Sequence, residues 1–302
     1  MLLVAGAAAC WSSGGLIARL VTTDAWTTLA WRSAFSAVFL MAVVAIVRRR
    51  GVLAQWRAIG WPGAGVAACL ATASTCFILS VTRTSVANTL ILMSIGPWVA
   101  GVLGWLLLGE RVRPRTWVTM GVALAGVVVM VSGSSGTGRL AGDVLAITMA
   151  SAFALGTVLV RRHPDIQMTP AVSLGATLAC LAVLPMATPF AVAPRDLALL
   201  ALFGIGQLGV GFLLFTAGAR LLPVAETSLI GMLEVVLGPF WVWLALGEEP
   251  AAASIAGGLV ILAALIVHTV ELWNWGPRNG PQTPNARSAP GNPWRSSNPT
   301  DF

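Results

Sequence analysis

The chain has 302 residues, of which 57% are hydrophobic and only 10% are charged, and its mean hydropathy is +0.85. Soluble proteins carry about 25% charged residues, because polar groups must cover most of a water-facing surface, so the composition excludes a soluble protein. The net charge of +7 comes from arginine alone, since all 18 basic residues are Arg. These arginines lie between apolar runs, which indicates topology signals rather than nucleic-acid binding.

Ten apolar segments follow one another along the chain, each close to the ~20 residues that a helix needs to cross a bilayer. They cover residues 2–20, 26–47, 61–82, 84–108, 116–132, 143–160, 168–190, 197–220, 223–247 and 251–272. The pattern predicts an all-α polytopic membrane protein with ten transmembrane helices.

The arginines between these segments are divided unevenly between the two sides of the membrane. One side carries most of them, including Arg48–Arg50 and Arg161–Arg162, whereas Arg83, Arg139 and Arg195 lie on the other. Arginine-rich loops stay in the cytoplasm. Both termini are therefore predicted to be cytoplasmic, and the protein to lie in the bacterial inner membrane.

Two of the segments match each other without a gap. At a constant shift of 138 residues, 85–110 aligns with 223–248, and both end in Gly-Glu, at Glu110 and Glu248. The alternative is a chance match between two helices rich in Leu, Gly and Ala.

The match predicts three parts of the chain. Residues 1–132 form a first five-helix repeat and residues 133–275 a second one, which is inverted because five is an odd number of crossings. Residues 276–302 are rich in Pro, Asn, Ser and Gly and are predicted to be a disordered cytoplasmic tail. Inverted repeats are typical of secondary transporters with a binding site at the bilayer midplane.

Two five-helix halves, each with an apolar helix ending in Leu-Gly-Glu, resemble the EamA family of the drug/metabolite transporter superfamily. Leu233-Glu234 also stands where that family often has Leu-Glu-Pro. Over residues 2–272 the pattern is most similar to bacterial aromatic amino-acid exporters of the YddG type. The resemblance implies export of small amphipathic metabolites, with aromatic and other apolar amino acids preferred, by alternating access around a midplane cavity.

Trp11 and Trp98 lie near the middle of their segments, so anchoring at the membrane interface does not explain them. Most other tryptophans, Trp241 among them, lie near segment ends and are interpreted as interfacial belts. A flat substrate could stack on the two central rings, at roughly 0.5–1.5 kcal/mol beyond burial; bulk for helix packing is the alternative. Phe153, which the repeat aligns with Trp11, and Phe215 are predicted to extend the same aromatic layer.

Prolines within segments four and nine predict interrupted helices. Pro97 removes a backbone hydrogen bond in the middle of its helix, and freed backbone at membrane depth must line a cavity or find partners. Ser94 and Trp98, four residues apart, share a face beside that break. Val235 stands where the family often has Pro, so the second break is expected to be displaced to Pro239.

Polar side chains within apolar segments complete the predicted substrate site. Gln207 lies in segment eight and Glu234 near the middle of segment nine. A charged group there costs about 2.5–3.5 kcal/mol on insertion scales, which points to function. Glu234 is predicted to carry a transported proton or to bind an amino group; a structural hydrogen bond between helices is the alternative.

Other charged groups are interpreted as structural pairs. Arg32 is expected to pair with Asp24 or Glu249 at the outer rim, and Glu226 with Arg220.

The sequence contains no catalytic constellation and no cluster of metal ligands, and its four cysteines all lie in apolar runs. The GxGxxG pattern at Gly204–Gly209 lacks the preceding strand that a dinucleotide site requires. We therefore expect no enzyme activity, no cofactor, no metal and no nucleic-acid partner. The expected partners are a small-molecule substrate and the lipid bilayer, with protons as a candidate coupling ion. The alternative function is a facilitative transporter or channel for a sugar, nucleoside or drug.

Overall fold

A computed structural model describes residues 1–47, 57–84, 86–132, 140–247 and 251–274. Within these ranges the regular structure is helical and no strand is present. Ten helical stretches in them are long and apolar enough to cross a membrane, so the predicted all-α polytopic fold is confirmed. The predicted tail, the arginine run at residues 48–50, Arg139, Glu248 and Glu249 lie outside the described residues.

Several of the ten stretches are built from more than one helix, and the α-helices are numbered here in chain order. They are α1 (Leu2–Ser12), α2 (Gly14–Leu20), α3 (Ala25–Val47), α4 (Gly60–Arg83), α5 (Val86–Met93), α6 (Gly96–Leu108), α7 (Pro114–Val131), α8 (Leu140–Arg162), α9 (Thr169–Val183), α10 (Pro194–Leu202), α11 (Gly211–Ala219), α12 (Val224–Gly231), α13 (Leu233–Leu246) and α14 (Ala252–Asn274). A short 3₁₀ turn, Leu184–Met186, follows α9, and a π-helix, Phe203–Val210, joins α10 to α11.

The helices are apolar on all sides, as expected where lipid replaces water and every backbone group must bond within its own helix. Large apolar side chains such as Leu106 and Val118 are exposed on the outside. Small residues lie where helices cross. A Cβ on Gly126 of α7 would lie 2.9 Å from the carbonyl oxygen of Gly257 in α14, so glycine permits this close crossing.

The most extensive packing joins the two predicted halves of the chain. Helix α4 packs along α8, α3 packs along α9, and α1 packs along α11. Residues Met1–Leu265 form one compact unit, and the second unit begins at Ile266, where Ile266–Asn274 is helical. Side chains from both halves therefore line the interior of the first unit.

Three membrane-crossing stretches are interrupted by one or two residues near their middle, the first of them at Ser13 between α1 and α2. The fourth stretch breaks at Ser94 and Ile95, after which Pro97 lies in the first turn of α6, where a proline fits without loss of a helix bond. The ninth breaks at Met232, between α12 and α13.

The expected break at Pro239 is wrong, because Pro239 lies inside α13 and the helix continues past it to Leu246. Met232 instead stands 138 residues after Ser94, the shift that relates the two segments in sequence. Gly109 and Gly247, which follow α6 and α13, have the same separation, and both adopt a φ of 68°.

Candidate substrate-binding site

Four aromatic rings meet in the interior of the first unit. The Trp11 ring centroid lies 5.6 Å from that of Phe153, 5.3 Å from Phe212 and 5.0 Å from Phe215, and Phe153 and Phe215 are 5.1 Å apart. Helices α1, α8 and α11 contribute these side chains. The structure thus brings together three residues that the sequence predicted. Phe212 was missed, although its spacing of three from Phe215 places both on one helix face.

Gln207 joins this aromatic group from the π-helix. Its Nε2 donates a hydrogen bond to the carbonyl oxygen of Trp11, at 3.2 Å. Within the described residues, the Gln207 Oε1 and the Trp11 Nε1 are buried without hydrogen-bond partners. Leaving a buried polar atom unpaired costs about 1–3 kcal/mol, so the site offers one unused acceptor and one unused donor. We call Trp11, Phe153, Gln207, Phe212 and Phe215 the Trp11 cluster.

Trp98 and Ser94 lie in a different place. The Trp98 ring centroid is 5.0 Å from that of Trp117, and the pair packs against apolar residues that include Met120 and Val235. Ser94 is buried beside the break. We call Trp98, Trp117, Met120 and Val235 the Trp98 cluster. The predicted site residues are therefore divided between two groups.

Glu234 lies in the first turn of α13, where the positive end of the helix dipole favours a carboxylate. It is half-buried, and within the described residues it makes no hydrogen bond or ion pair. Gly238 and Trp241, four and seven residues on, share its face. The Trp241 Nε1 donates to the Ser12 Oγ at 2.8 Å, so this face of α13 turns toward α1.

The same hydrogen bond corrects the interpretation of Trp241 as a belt residue. Its indole N–H reaches into the protein rather than toward lipid headgroups. The sequence position near a segment end did not reveal this, because the rotation of a helix is set by its packing.

Arg32 does not pair with Asp24, and Glu249, the other predicted partner, lies outside the described residues. The Asp24 carboxylate instead accepts hydrogen bonds from the backbone N–H groups of Trp26 and Thr27, at 2.9 and 3.0 Å, at the start of α3. Arg32 is only 4% exposed, and its Nη2 donates to the Ser74 Oγ at 3.0 Å. The guanidinium carbon lies 5.0 Å from the ring centroid of Phe203, which is cation–π distance.

A second correction concerns Arg220, whose side chain donates to the carbonyl oxygen of Pro164 rather than pairing with Glu226. The ion pair of this region joins Arg161 Nε to Glu110 Oε1 at 3.0 Å. Glu110 also accepts the backbone N–H of Val224 at 3.1 Å. The residue that ends the first Leu-Gly-Glu sequence thus links α6 to α8 and α12.

The comparisons with known proteins agree with a transporter. The EamA-like transporter family matches the chain twice, over residues 1–132 and 137–270. The uncharacterized transporter YwfM of Bacillus subtilis (strain 168) is 26% identical over 219 residues, which are 68% of this chain and 73% of that protein. A protein of known crystal structure shares the fold, with a TM-score of 0.76 and 21% identity over 91% of this chain and 98% of that one.

The two family matches together span most of the chain, with only a short gap between them. The predicted family is confirmed, and with it a multi-pass membrane transporter for a small molecule. The chain belongs to the EamA-like transporter family of the drug/metabolite transporter superfamily.

Proposed function

We propose that the protein exports small amphipathic metabolites, with aromatic and other apolar amino acids as its preferred substrates. Its family supports transport of a small molecule across a lipid bilayer. The single observation that carries the substrate class is the Trp11 cluster, in which aromatic rings from three helices meet and two buried polar atoms have no hydrogen-bond partner within the described residues. A molecule with one flat apolar part and one polar part matches that combination.

Transport proceeds by alternating access around this cluster. The proposed halves are residues 1–132 and 133–275, inverted relative to each other. Two observations support this division. The two family matches have nearly the same bounds as the proposed halves, and the helix interruptions at Ser94 and Met232 are separated by the same number of residues as the two copies of the sequence repeat. Interrupted helices at midplane are typical of secondary transporters.

The membrane is the bacterial inner membrane, with both termini in the cytoplasm. Single cysteines introduced into 133–142 should react with an impermeant thiol reagent from outside in a variant without native cysteines, and those in 161–167 should not. The reverse labelling would overturn both the orientation and the inversion.

Glu234 is the proposed proton-coupling residue, and Ser94 and Trp98 remain proposed substrate contacts at the break in the fourth membrane-crossing stretch. A facilitator that needs no titrating group is the second candidate.

The test is uptake by the purified full chain in proteoliposomes. The panel contains labelled phenylalanine, tryptophan, leucine, glucose and uridine, each with and without a pH gradient. Saturable uptake of the amino acids, accelerated by unlabelled substrate on the opposite side, is expected. Saturable uptake of glucose or uridine alone would mean that the substrate is a sugar or a nucleoside and not an amino acid. Flux that never saturates would indicate a channel.

A further inference from the structure

Within the described residues, Arg32 is a buried cation without a carboxylate partner. It lies seven residues into α3, roughly 10 Å along the helix from Ala25. Its contacts are the Ser74 hydroxyl and the face of Phe203, and its Nε is buried without a hydrogen-bond partner within the described residues. A buried charge with no counter-ion costs several kcal/mol, and neither a serine hydroxyl nor a ring face neutralises it.

Unused polar atoms lie on α3 itself and on the π-helix whose Phe203 the guanidinium contacts. The neighbouring residues Ser33 and Ser36 are fully buried, and within the described residues their hydroxyls have no hydrogen-bond partner. Gln207, with its unpartnered Oε1, lies on the π-helix one turn after Phe203. Native interiors leave few such atoms unsatisfied, so several of them on the two helices around one buried cation point to a polar ligand.

A small, mostly apolar cavity lies next to both groups. It has a volume of about 10 Å³, and its lining includes Ser33 and Ser74 as well as Leu208 and Phe212. Ser74 accepts the hydrogen bond of Arg32 and Phe212 contacts Trp11, so the cavity adjoins a partner of the cation and a member of the Trp11 cluster. About one water molecule fits in this volume, and the site must therefore widen when a substrate enters.

We propose that Arg32, assisted by Ser33 and Ser74, binds the carboxylate of the transported molecule while its apolar part lies against Phe212 and Trp11. This rests on the proposed transport function and narrows its substrate class to monocarboxylates. The planar guanidinium matches two carboxylate oxygens, and hydroxyls can donate to the same group. One cation balances one negative charge, which favours a carboxylate over a dianionic phosphate.

The test measures ligand-induced thermal stabilisation of the purified full chain in detergent. The probes are 3-phenylpropionate, which has only the carboxylate, phenethylamine, which has only the amine, phenyl phosphate and phenylalanine. Arg32→Gln should weaken binding of 3-phenylpropionate and phenylalanine by about 10- to 100-fold, the loss expected for a hydrogen bond to a charged group. It should leave phenethylamine binding unchanged.

The matched control is Arg162→Gln, which removes the same charge from an exposed position at the end of α8 and should behave like the wild type. Arg32→Lys keeps the charge and guards against a misfolded Gln variant; it should still prefer 3-phenylpropionate to phenethylamine. Equal loss of every probe in both Arg32 variants would make the residue structural and overturn the inference. Tighter wild-type binding of phenyl phosphate than of 3-phenylpropionate would also overturn it.

The proposed function can fail separately. If the wild type transports no amino acid in proteoliposomes but Arg32→Gln still weakens the binding of 3-phenylpropionate, the carboxylate site is supported. The exported molecule would then be a carboxylic acid other than an amino acid. If amino acids are transported equally well by Arg32→Gln and the wild type, the function is supported and the Arg32 site is lost.

Discussion

The Trp11 cluster and the Trp98 cluster look alike in sequence and differ in their surroundings. Each is centred on a tryptophan near the middle of a membrane-crossing segment, and both indole N–H groups are buried without a partner within the described residues. The Trp98 ring packs among apolar side chains. The Trp11 backbone carbonyl accepts a hydrogen bond from Gln207, and the Trp11 ring contacts Phe212, which lines the same cavity as Ser33 and Ser74. Depth in the membrane therefore identifies candidates, and unpaired polar neighbours distinguish between them.

The largest difference is expected from removing each tryptophan. Trp11→Ala and Trp98→Ala should both lower stability, by about 3–5 kcal/mol each, since both empty a packed site. Trp11→Ala should also lower phenylalanine transport per folded protein by about tenfold or more, because ring contact and burial with the substrate are lost, and Trp98→Ala should lower it by a smaller factor. Transport in proteoliposomes, normalised to folded protein, measures this. The opposite ranking would move the substrate to the interrupted helix beside Ser94.

Substitution of Glu234 tests whether proton coupling takes place on the side of α13 that faces the Trp11 cluster. Its neighbour Val235 packs in the Trp98 cluster, whereas its own face of α13 turns toward α1. Glu234→Gln preserves size and hydrogen bonding but cannot release a proton. The variant should keep substrate exchange and lose the response of net flux to an imposed pH gradient.

The control for that experiment is Glu226→Gln on α12, which should retain the gradient response. Wild-type flux that ignores the gradient would make the protein a facilitator. Loss of exchange as well in Glu234→Gln would assign Glu234 to substrate binding or to helix packing.

Alanine substitutions at two glycines compare the two clusters with a smaller change than removal of a tryptophan. A Cβ on Gly211 would lie 2.7 Å from Cδ1 of Trp11, whereas a Cβ on Gly121 would lie 3.8 Å from Cζ2 of Trp98, an ordinary contact. Gly211→Ala should therefore displace the Trp11 ring and raise the KM for phenylalanine. Gly121→Ala should leave KM unchanged and raise stability by a few tenths to about 1 kcal/mol, because alanine favours the helix. Equal KM values for the two variants would show that the position of the Trp11 ring does not matter.

The smallest effect concerns the link between α13 and α1. Trp241→Phe removes the hydrogen bond to Ser12, worth about 0.5–1.5 kcal/mol, and should lower the melting temperature by a few degrees. Trp243→Phe, at an exposed position on the same helix, should not. An unchanged melting temperature in both variants would favour the earlier interpretation of Trp241 as an interfacial belt residue.

The ten membrane-crossing stretches could be predicted because hydropathy depends on composition alone. The meeting of Trp11, Phe153 and Phe215 could be anticipated from depth and from the repeat. The burial of Arg32 could not, since a charge near the end of a segment looks the same whether its helix turns it inward or outward. The break at Met232 carries no compositional signal, and proline proved a poor guide because Pro239 is accommodated within α13. The repeat does locate this break, because the shift of 138 residues from Ser94 leads to Met232.

The π-helix at Phe203–Val210 has a consequence for the rings that follow it. Its backbone hydrogen bonds span five residues instead of four, so the angular position of every later residue in the stretch depends on how many residues the wide turns contain. Phe212 and Phe215 therefore face Trp11 only if the wide turns contain the present number of residues. Deleting one residue from the segment would turn both rings away without altering any ring, and relatives with a regular α-helix here would present a different side chain to the same space.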